Sequence, residues 1–238
     1  MKNLKGGVFD LDETLVMGAE RLHYLGWVEA LKTYGVHFTK KDYLTYAGKT
    51  GNVIDEELIR GFGLGACRGD LLLVKDAETR RLCESEKIEL MPHAPEAVEF
   101  FKRRRLKTAV ASGAPRKEAE EKLRKTGLLS KFDVVITRDD VSRGKPYPDA
   151  YLMAADKLEI EPELLAGFDD TQYGIESQQR AGIGLRIAVP TEYSEHHDFS
   201  KAHEIFDSLR GAIEYLERSG LFYQRSDEKQ DRFTINAK

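Results

Sequence analysis

Two aspartates follow a short apolar run near the start of the chain, where residues 8–14 read VFDLDET. Because side chains alternate along a strand, Asp10 and Asp12 are expected to point the same way at its carboxyl end. Two carboxylates held this close repel each other unless a cation or a proton lies between them. The spacing therefore predicts a divalent metal site, although Asp and Thr also start turns and cap helices.

Three further polar groups follow apolar runs later in the chain. They are Ser112-Gly113, Lys145 directly before Pro146, and the acidic pair Asp169-Asp170. A serine hydroxyl and free backbone N–H groups at the start of a helix can hold an anion. Each group also has an ordinary structural explanation, as a Ser N-cap, a solvated loop charge or a cap at the start of a helix.

A regular alternation of elements is predicted to position these groups. The predicted strands cover residues 4–10, 106–111, 132–137, 164–168 and 183–189. The predicted helices between and after them cover residues 95–105, 116–126, 148–158, 174–181 and 208–216. Strands that alternate with helices form βαβ units and a parallel sheet, whose strands end at one shared edge. The four polar groups are therefore expected to meet at that edge, where ligands bind in open α/β sheets.

One long stretch lacks any strand pattern. Helices are predicted over residues 19–34, 40–47, 53–60 and 70–85, with glycine-rich breaks at 48–51 and 61–65. The predicted domains are an α/β core of residues 1–16 and 89–219, a helical cap of residues 17–88, and a C-terminal extension of residues 220–238. That extension is polar apart from residues 221–223, and we leave its role open.

The composition is that of an ordinary soluble globular protein. The 238 residues are 41% hydrophobic and 33% charged, and the net charge is −4. A chain with this balance has no broad basic surface for nucleic acid or an anionic membrane. Two cysteines, no signal-peptide pattern and no membrane-length apolar run favour a reducing compartment. We expect a cytoplasmic monomer or homodimer whose partner is a small molecule.

Taken in order, these motifs resemble the haloacid dehalogenase-like hydrolase superfamily. The resemblance is carried by Asp10, Asp12, Thr14, Ser112, Lys145, Asp169 and Asp170. The stretches GKPYPD at 144–149 and DDTQYGI at 169–175 look like the branch that contains phosphoglycolate phosphatase and β-phosphoglucomutase. The resemblance implies a Rossmann-like parallel sheet core with helices on both faces and an inserted all-helical cap domain, where this chain has residues 17–88.

The resemblance also implies a Mg²⁺-dependent phosphatase that hydrolyses a small phosphorylated metabolite. Asp10 would attack phosphorus to form an aspartyl-phosphate, and Asp12 would act as general acid and then as general base. The implied Mg²⁺ ligands are Asp10, Asp12 through its backbone carbonyl, and Asp170, with Asp169 close by or ligating through water. The implied phosphate-binding residues are Leu11, Ser112, Gly113 and Lys145. Dehalogenases of the superfamily lack the second aspartate, so its presence here indicates phosphate esters.

Two alternatives stay open at this stage. A phosphomutase would use the same residues and differ in cap geometry, which the sequence does not reveal. A non-catalytic binding module is disfavoured because Asp10, Asp12, Lys145 and Asp170 are all intact.

Substrate choice is expected to depend on the cap, which closes over the core and excludes water. Lys49 and Thr50 lie in a glycine-bounded loop that suits an anionic or polyol substrate, although a plain turn explains them equally well. His23 lies one turn from Trp27, and β-phosphoglucomutase has a similar pair, but we favour core packing for both. Glu13 stands where relatives often have glycine, and its charge is expected to affect metal affinity or cap closure.

Overall fold

The computed structural model describes residues 3–222. Within them the strands are β1 (Gly6–Phe9), β2 (Val16–Met17), β3 (Glu89–Leu90), β4 (Lys107–Ala111), β5 (Val134–Ile136), β6 (Leu165–Asp169), β7 (Leu185–Ala188) and β8 (Glu204–Ile205). The α-helices are α1 (Ala19–Lys32), α2 (Lys40–Tyr43), α3 (Gly51–Phe62), α4 (Asp70–Ser85), α5 (Ala94–Arg103), α6 (Arg116–Lys125), α7 (Asp149–Leu158), α8 (Gln172–Ala181) and α9 (Leu209–Arg218).

Six strands of the described chain form one parallel sheet in the spatial order β5-β4-β1-β6-β7-β8. The central strand β1 pairs with β4 on one side, where Gly6 lies opposite Lys107, and with β6 on the other, where Gly6 lies opposite Leu165. The direction in which the chain adds strands therefore reverses at β1. Such a reversal leaves a crevice at the carboxyl ends of the strands, which is the usual ligand site of open α/β sheets.

Hydrophobic packing fixes β1 at the centre of the core. Phe9 is fully buried and stacks on Phe168 of β6, with ring centroids 4.4 Å apart, while Phe101 of α5 meets it edge-on. Gly7 makes this approach possible, because a Cβ there would lie 2.8 Å from the Phe101 ring. Helices α5, α6 and α9 cover this face of the sheet, and α7 covers the face onto which Val8 points. The predicted α/β fold with helices on both faces is confirmed.

Helices α1 to α4 form a helical block between β2 and β3, as the fold class predicts. Trp27, Leu31 and Leu58 are buried in its own hydrophobic core. Helix α1 packs closely against α4 at Gly26, where a Cβ would lie 2.6 Å from the Thr79 hydroxyl. Strands β2 and β3 pair antiparallel where the chain enters and leaves this block. We call this helical block the cap; the exact domain limits stay a prediction.

The predicted elements agree with the structure apart from short pieces. The helix predicted over 40–47 ends at Tyr43, and the two-residue strands β2, β3 and β8 were not expected. These strands are too short to show an alternating pattern in the sequence.

The start of the predicted C-terminal extension contacts the core. The Leu4 backbone N–H donates to the Leu221 carbonyl at 2.7 Å, and Phe222 packs edge-on against Phe100 and Phe101. The rest of that predicted segment, residues 223–238, lies outside the described residues. Among residues 3–222, none of the helices has both the length and the apolar character to cross a bilayer.

Candidate active site

The carboxyl ends of β1, β4 and β6 open into a cavity of about 450 Å³ between the sheet and the cap. Its walls include the predicted core-site residues Asp10, Asp12, Ser112, Gly113, Lys145, Asp169 and Asp170, and the predicted cap residues His23, Lys49 and Thr50. Leu11 is different, because its side chain is buried in the hydrophobic core. A phosphate in the cavity could therefore meet Leu11 through its backbone alone.

Asp10 and Asp169 share one ammonium group. Lys145 Nζ donates to Asp10 Oδ1 and, at 2.7 Å, to Asp169 Oδ2. Burial raises the pKa of Asp10 from 3.8 to about 7, and the neighbouring Lys145 opposes part of that rise. The lysine is mostly buried, so the explanation as a solvated loop charge is wrong.

Asp169 is held by three further groups. The Tyr151 hydroxyl donates to its Oδ2 at 2.8 Å, and the backbone N–H and hydroxyl of Thr171 donate to Oδ1 at 2.9 and 2.8 Å. The first turn of helix α8 packs directly against it at Gly174, where a Cβ would lie 1.8 Å from a carboxylate oxygen. Thr171 caps α8, so the acidic pair is not needed as a helix cap.

Asp170 is buried like its neighbour Asp169 but accepts longer hydrogen bonds. The hydroxyls of Thr14 and Ser194 donate to its two oxygens at 3.4 and 3.3 Å. Its pKa lies well above the usual value because the carboxyl is buried and because Asp169 and Asp10 are close. Ser194 was not predicted as a site residue, since it lies in a loop after β7 that carries no recognisable motif.

The acidic cluster fits a divalent cation. Carboxylate oxygens of Asp10, Asp169 and Asp170 all lie within 4.8 Å of one another, and all three residues are buried. Three ionised carboxylates and the Lys145 ammonium sum to −2, a charge that a buried site does not hold without a counterion. Hard carboxylate oxygens are the donors that Mg²⁺ prefers.

Ser112 and Gly113 occupy the loop between β4 and α6. The Ser112 hydroxyl accepts from the Ala114 N–H at 3.0 Å, while the helix begins later, with Pro115 as its N-cap residue. The alternative that Ser112 is the helix N-cap is therefore wrong. Because this loop lines the cavity, its polar groups are available to a bound anion.

Asp12 belongs to a second cluster on the other side of the cavity. Its Oδ1 accepts from Lys122 Nζ at 2.8 Å, and its Oδ2 lies 3.4 Å from His23 Nε2. Lys122 also donates to Glu118 Oε1 at 2.5 Å. Burial acts to raise the pKa of Asp12, but Lys122 and His23 outweigh it and hold that pKa well below its usual value.

Sequence reasoning missed Lys122 and Glu118. A Glu–Lys pair four residues apart on a helix is ordinary surface chemistry, so its spacing did not single it out. The signal that could have found it is position, because this pair lies on the helix that directly follows the Ser112 motif.

The cap residues do not all behave as expected. Packing explains Trp27, which is buried in the cap core, but not His23, which contacts Asp12. Lys49 forms an ion pair with Glu57 at 2.7 Å, and Thr50 precedes α3 as its N-cap residue. Both Lys49 and Thr50 line the cavity.

One cap–core contact was not predicted. Asp76 on α4 accepts from Arg138, which follows β5, at 2.8 Å, and from its neighbour Lys75 at 3.2 Å. Arg138 and Lys75 both line the cavity, so this ion pair closes one side of it.

Glu13 reaches the cap instead of the acidic cluster. Its carboxylate accepts from the Glu20 N–H in the first turn of α1 at 3.0 Å, and its own backbone has a left-handed φ of 59°. Burial raises its pKa to about 7. The charge at this position therefore stabilises the start of the first cap helix, where the N-cap residue Gly18 provides no side-chain bond.

Comparisons with known proteins agree with this geometry. The haloacid dehalogenase-like hydrolase family model matches residues 4–182. A phosphorylated carbohydrates phosphatase of Thermotoga maritima is 32% identical over 185 residues, covering 74% of this chain and 81% of the relative. A validoxylamine A 7'-phosphate phosphatase of Streptomyces hygroscopicus is 30% identical over 179 residues, covering 75% and 83%. The structure of CbbY from Rhodobacter sphaeroides in complex with phosphate superposes with a TM-score of 0.75 at 25% identity, covering 87% and 95%.

Proposed function

Because the chain belongs to the haloacid dehalogenase-like hydrolase family, we propose that it is a Mg²⁺-dependent phosphatase of small phosphorylated sugars that works through an aspartyl-phosphate. The observation that carries the proposal is the buried cluster in which Lys145 holds Asp10 beside two further carboxylates at the edge of the cavity. The two phosphatase relatives, named for phosphorylated carbohydrates and a 7'-phosphate, support a sugar-like substrate.

The first half-reaction transfers the phosphoryl group to the protein. A carboxylate oxygen of Asp10 attacks phosphorus, the bond from phosphorus to the ester oxygen breaks, and that oxygen takes a proton from Asp12. Because the pKa of Asp12 is low in the free protein, Asp12 would take up this proton as the ester binds, when the negative charge of the phosphate raises that pKa. Lys145, Ser112 and the backbone N–H groups of Leu11 and Gly113 would orient the transferring oxygens and stabilise their charge.

The second half-reaction restores the nucleophile. A water molecule attacks phosphorus, gives its proton to Asp12, and Asp10 leaves as a free carboxylate with release of inorganic phosphate. Mg²⁺, held by Asp10, Asp170 and the backbone carbonyl of Asp12, would supply positive charge against the phosphoryl oxygens. Asp169 would lie beside the metal and hold Lys145, with which it forms a hydrogen bond.

A phosphomutase would use the same residues and protect the aspartyl-phosphate from water until a sugar phosphate returns. We place hydrolysis first because both of the curated relatives described above are named as phosphatases. The cytoplasmic location and the monomeric or homodimeric state stay predictions from composition; the free thiols of Cys67 and Cys83 are compatible with a reducing compartment.

Phosphate release from a panel of sugar phosphates, with and without Mg²⁺, tests the proposal. We expect release that requires the metal and that disappears in Asp10→Asn, which keeps the shape of the side chain but removes the nucleophile. Release by Asp10→Asn at the wild-type rate would disprove the assigned nucleophile. Absence of release from every ester, together with turnover of a sugar phosphate when a sugar bisphosphate is added, would instead favour the mutase.

A further inference from the structure

A fully buried lysine lies beneath the cavity. Lys122 on α6 has no exposed side-chain surface, although lysines are among the residues least often buried completely. An ammonium group is stable in such a place when carboxylates hold it. Two do so, since Lys122 Nζ donates to Glu118 Oε1 at 2.5 Å and to Asp12 Oδ1 at 2.8 Å.

The bond to Asp12 is not needed to neutralise the lysine. Glu118 lies four residues earlier on the same helix and alone balances the charge of Lys122. The second bond crosses to the loop after β1, in another part of the sheet. It therefore acts on Asp12 and fixes one of its two carboxylate oxygens.

The two oxygens of Asp12 are in different situations. Lys122 holds Oδ1 from the core, whereas Oδ2 lies 3.4 Å from Nε2 of His23, a cap residue that lines the cavity. An oxygen that accepts a strong bond from a buried ammonium is poorly available for proton transfer. Oδ2 is therefore the oxygen of Asp12 that remains available for proton transfer.

We propose that Lys122 is a positioning residue for Asp12: by binding Oδ1, it presents Oδ2 to the reacting oxygen. The inference rests on the proposed phosphatase function. In the first half-reaction the proton that Oδ2 takes up as the ester binds passes to the ester oxygen as its bond to phosphorus breaks. In the second, Oδ2 takes a proton from water as the new oxygen–phosphorus bond forms. Glu118 supports Lys122 by keeping its charge balanced.

The test uses two esters that differ in their need for a proton. A sugar alkoxide is a poor leaving group without one, whereas p-nitrophenolate leaves unprotonated. The ratio kcat/KM reports the steps up to phosphoryl transfer, so it isolates the proton donated by Asp12. For Lys122→Met we expect kcat/KM to fall about 10²- to 10³-fold on the sugar phosphate and less than about tenfold on p-nitrophenyl phosphate. The KM for the sugar phosphate should change less than about threefold, because binding is not affected.

A matched double variant separates positioning from stability. Lys122→Met alone leaves the buried Glu118 without its lysine, so it is expected to destabilise the fold. Adding Glu118→Gln removes that charge and should return the urea midpoint towards wild type. The proposal expects the sugar-to-aryl ratio of kcat/KM to stay low in the folded double variant. Recovery of the ratio together with stability would overturn it, because the lysine would then act through the fold alone.

Glu118→Gln alone tests the role of Lys122 if the double variant does not fold. It leaves Lys122 bound to Asp12 with a neutral amide acceptor nearby, so the ratio should stay within about threefold of wild type. A fall as large as that expected for Lys122→Met would overturn the proposal. A wild-type protein that hydrolyses neither ester would refute the phosphatase instead, and is thus distinguished from a failure of this inference.

Discussion

Two acidic clusters lie at the carboxyl end of β1, and their buried negative charges are compensated in different ways. Asp10, Asp169 and Asp170 lie close together, and one lysine, Lys145, contacts the first two of them. The pKa of Asp10 is accordingly raised to about 7, chiefly by burial. This first cluster carries an excess of two negative charges, so it is incomplete without an external cation.

The second cluster carries a smaller excess of negative charge, because one lysine offsets two carboxylates and leaves −1 when His23 is neutral. Asp12 and Glu118 share Lys122, and His23 lies beside both carboxylates. The pKa of Asp12 is lowered, because Lys122 and His23 outweigh the effect of burial. The ligand atoms of Asp12, Glu118 and His23 also lie within 4.8 Å of one another, yet this cluster has two carboxylates for its one lysine, where the first has three. Proximity of ligand atoms therefore does not identify the metal site here; the charge balance does.

The largest expected loss of activity distinguishes Asp10 from Asp12. Asp10→Asn removes the nucleophile and is expected to lower kcat by about 10⁵-fold. Asp12→Asn removes general acid and base catalysis and should cost about 10³-fold on a sugar phosphate. Phosphate release with each variant measures both values, and the unfolding midpoint of each serves as control. Equal losses of kcat in Asp10→Asn and Asp12→Asn would contradict the different roles that we assign to the two clusters.

The next effect concerns metal affinity. Asp170→Asn is expected to raise the Mg²⁺ concentration needed for half-maximal activity by about 100-fold or more, since it removes a charged ligand from the cluster in need of a cation. Glu118→Gln, the matched change in the second cluster, should leave that concentration unchanged. A Mg²⁺ titration of activity compares the two. A shift for Glu118→Gln with none for Asp170→Asn would reverse our assignment.

A smaller effect is expected in the pH dependence of the free energy of unfolding when no metal is bound. The pKa of Asp10 is higher in the folded protein than its ordinary value of 3.8, so the native state binds the extra proton. Stability from this group is fully present below about pH 4 and is lost as the pH rises through about 7. Between pH 6 and pH 8 we expect a loss of about 1.4 kcal/mol in the free energy of unfolding.

Urea unfolding in a chelating buffer measures this loss, and two controls sharpen it. Asp10→Asn should remove the part of the dependence that Asp10 contributes and leave the part due to Glu13, whose pKa is also raised to about 7. Mg²⁺ should stabilise the protein more at pH 8 than at pH 6, since the ligands are then ionised. A stability that rises from pH 6 to pH 8 without metal would contradict the charge balance described for the first cluster.

The smallest effect concerns the cap side of the second cluster. His23→Ala removes one contact to Asp12 but leaves Lys122 in place. The loss in kcat should be about tenfold or less, the value of one net hydrogen bond. Kinetics on the sugar phosphate, with Trp27→Phe as a cap control that does not touch Asp12, measure it. A loss equal to that of Asp12→Asn would mean that the histidine and not the lysine controls this carboxylate.

The first cluster was predictable from the sequence, and the second was largely not. Asp10, Lys145, Asp169 and Asp170 follow strands of one parallel sheet, and the sheet topology brings strand ends together without knowledge of side-chain packing. Lys122 gains its significance from burial against a loop, which no helical periodicity encodes.

The cap contacts were hidden for a related reason. His23 reaches Asp12, and Asp76 reaches Arg138, through the orientation of the cap on the core. Helix positions along the sequence fix which residues share a face but not how two packed units are turned towards each other. The cap helices could thus be predicted, while the residues that they bring to the cavity could not.

The paired strands β2 and β3 have a mechanical consequence. The chain crosses between sheet and cap twice, and the two crossings are joined where Val16 pairs with Leu90 and the Met91 N–H donates to the Leu15 carbonyl at 2.9 Å. A single tether would let the cap swivel in any direction, but two tethers fixed side by side leave one axis of rotation. Any rotation of the cap on the core is therefore expected to take place about these paired strands, so that closure restores the contact between His23 and Asp12.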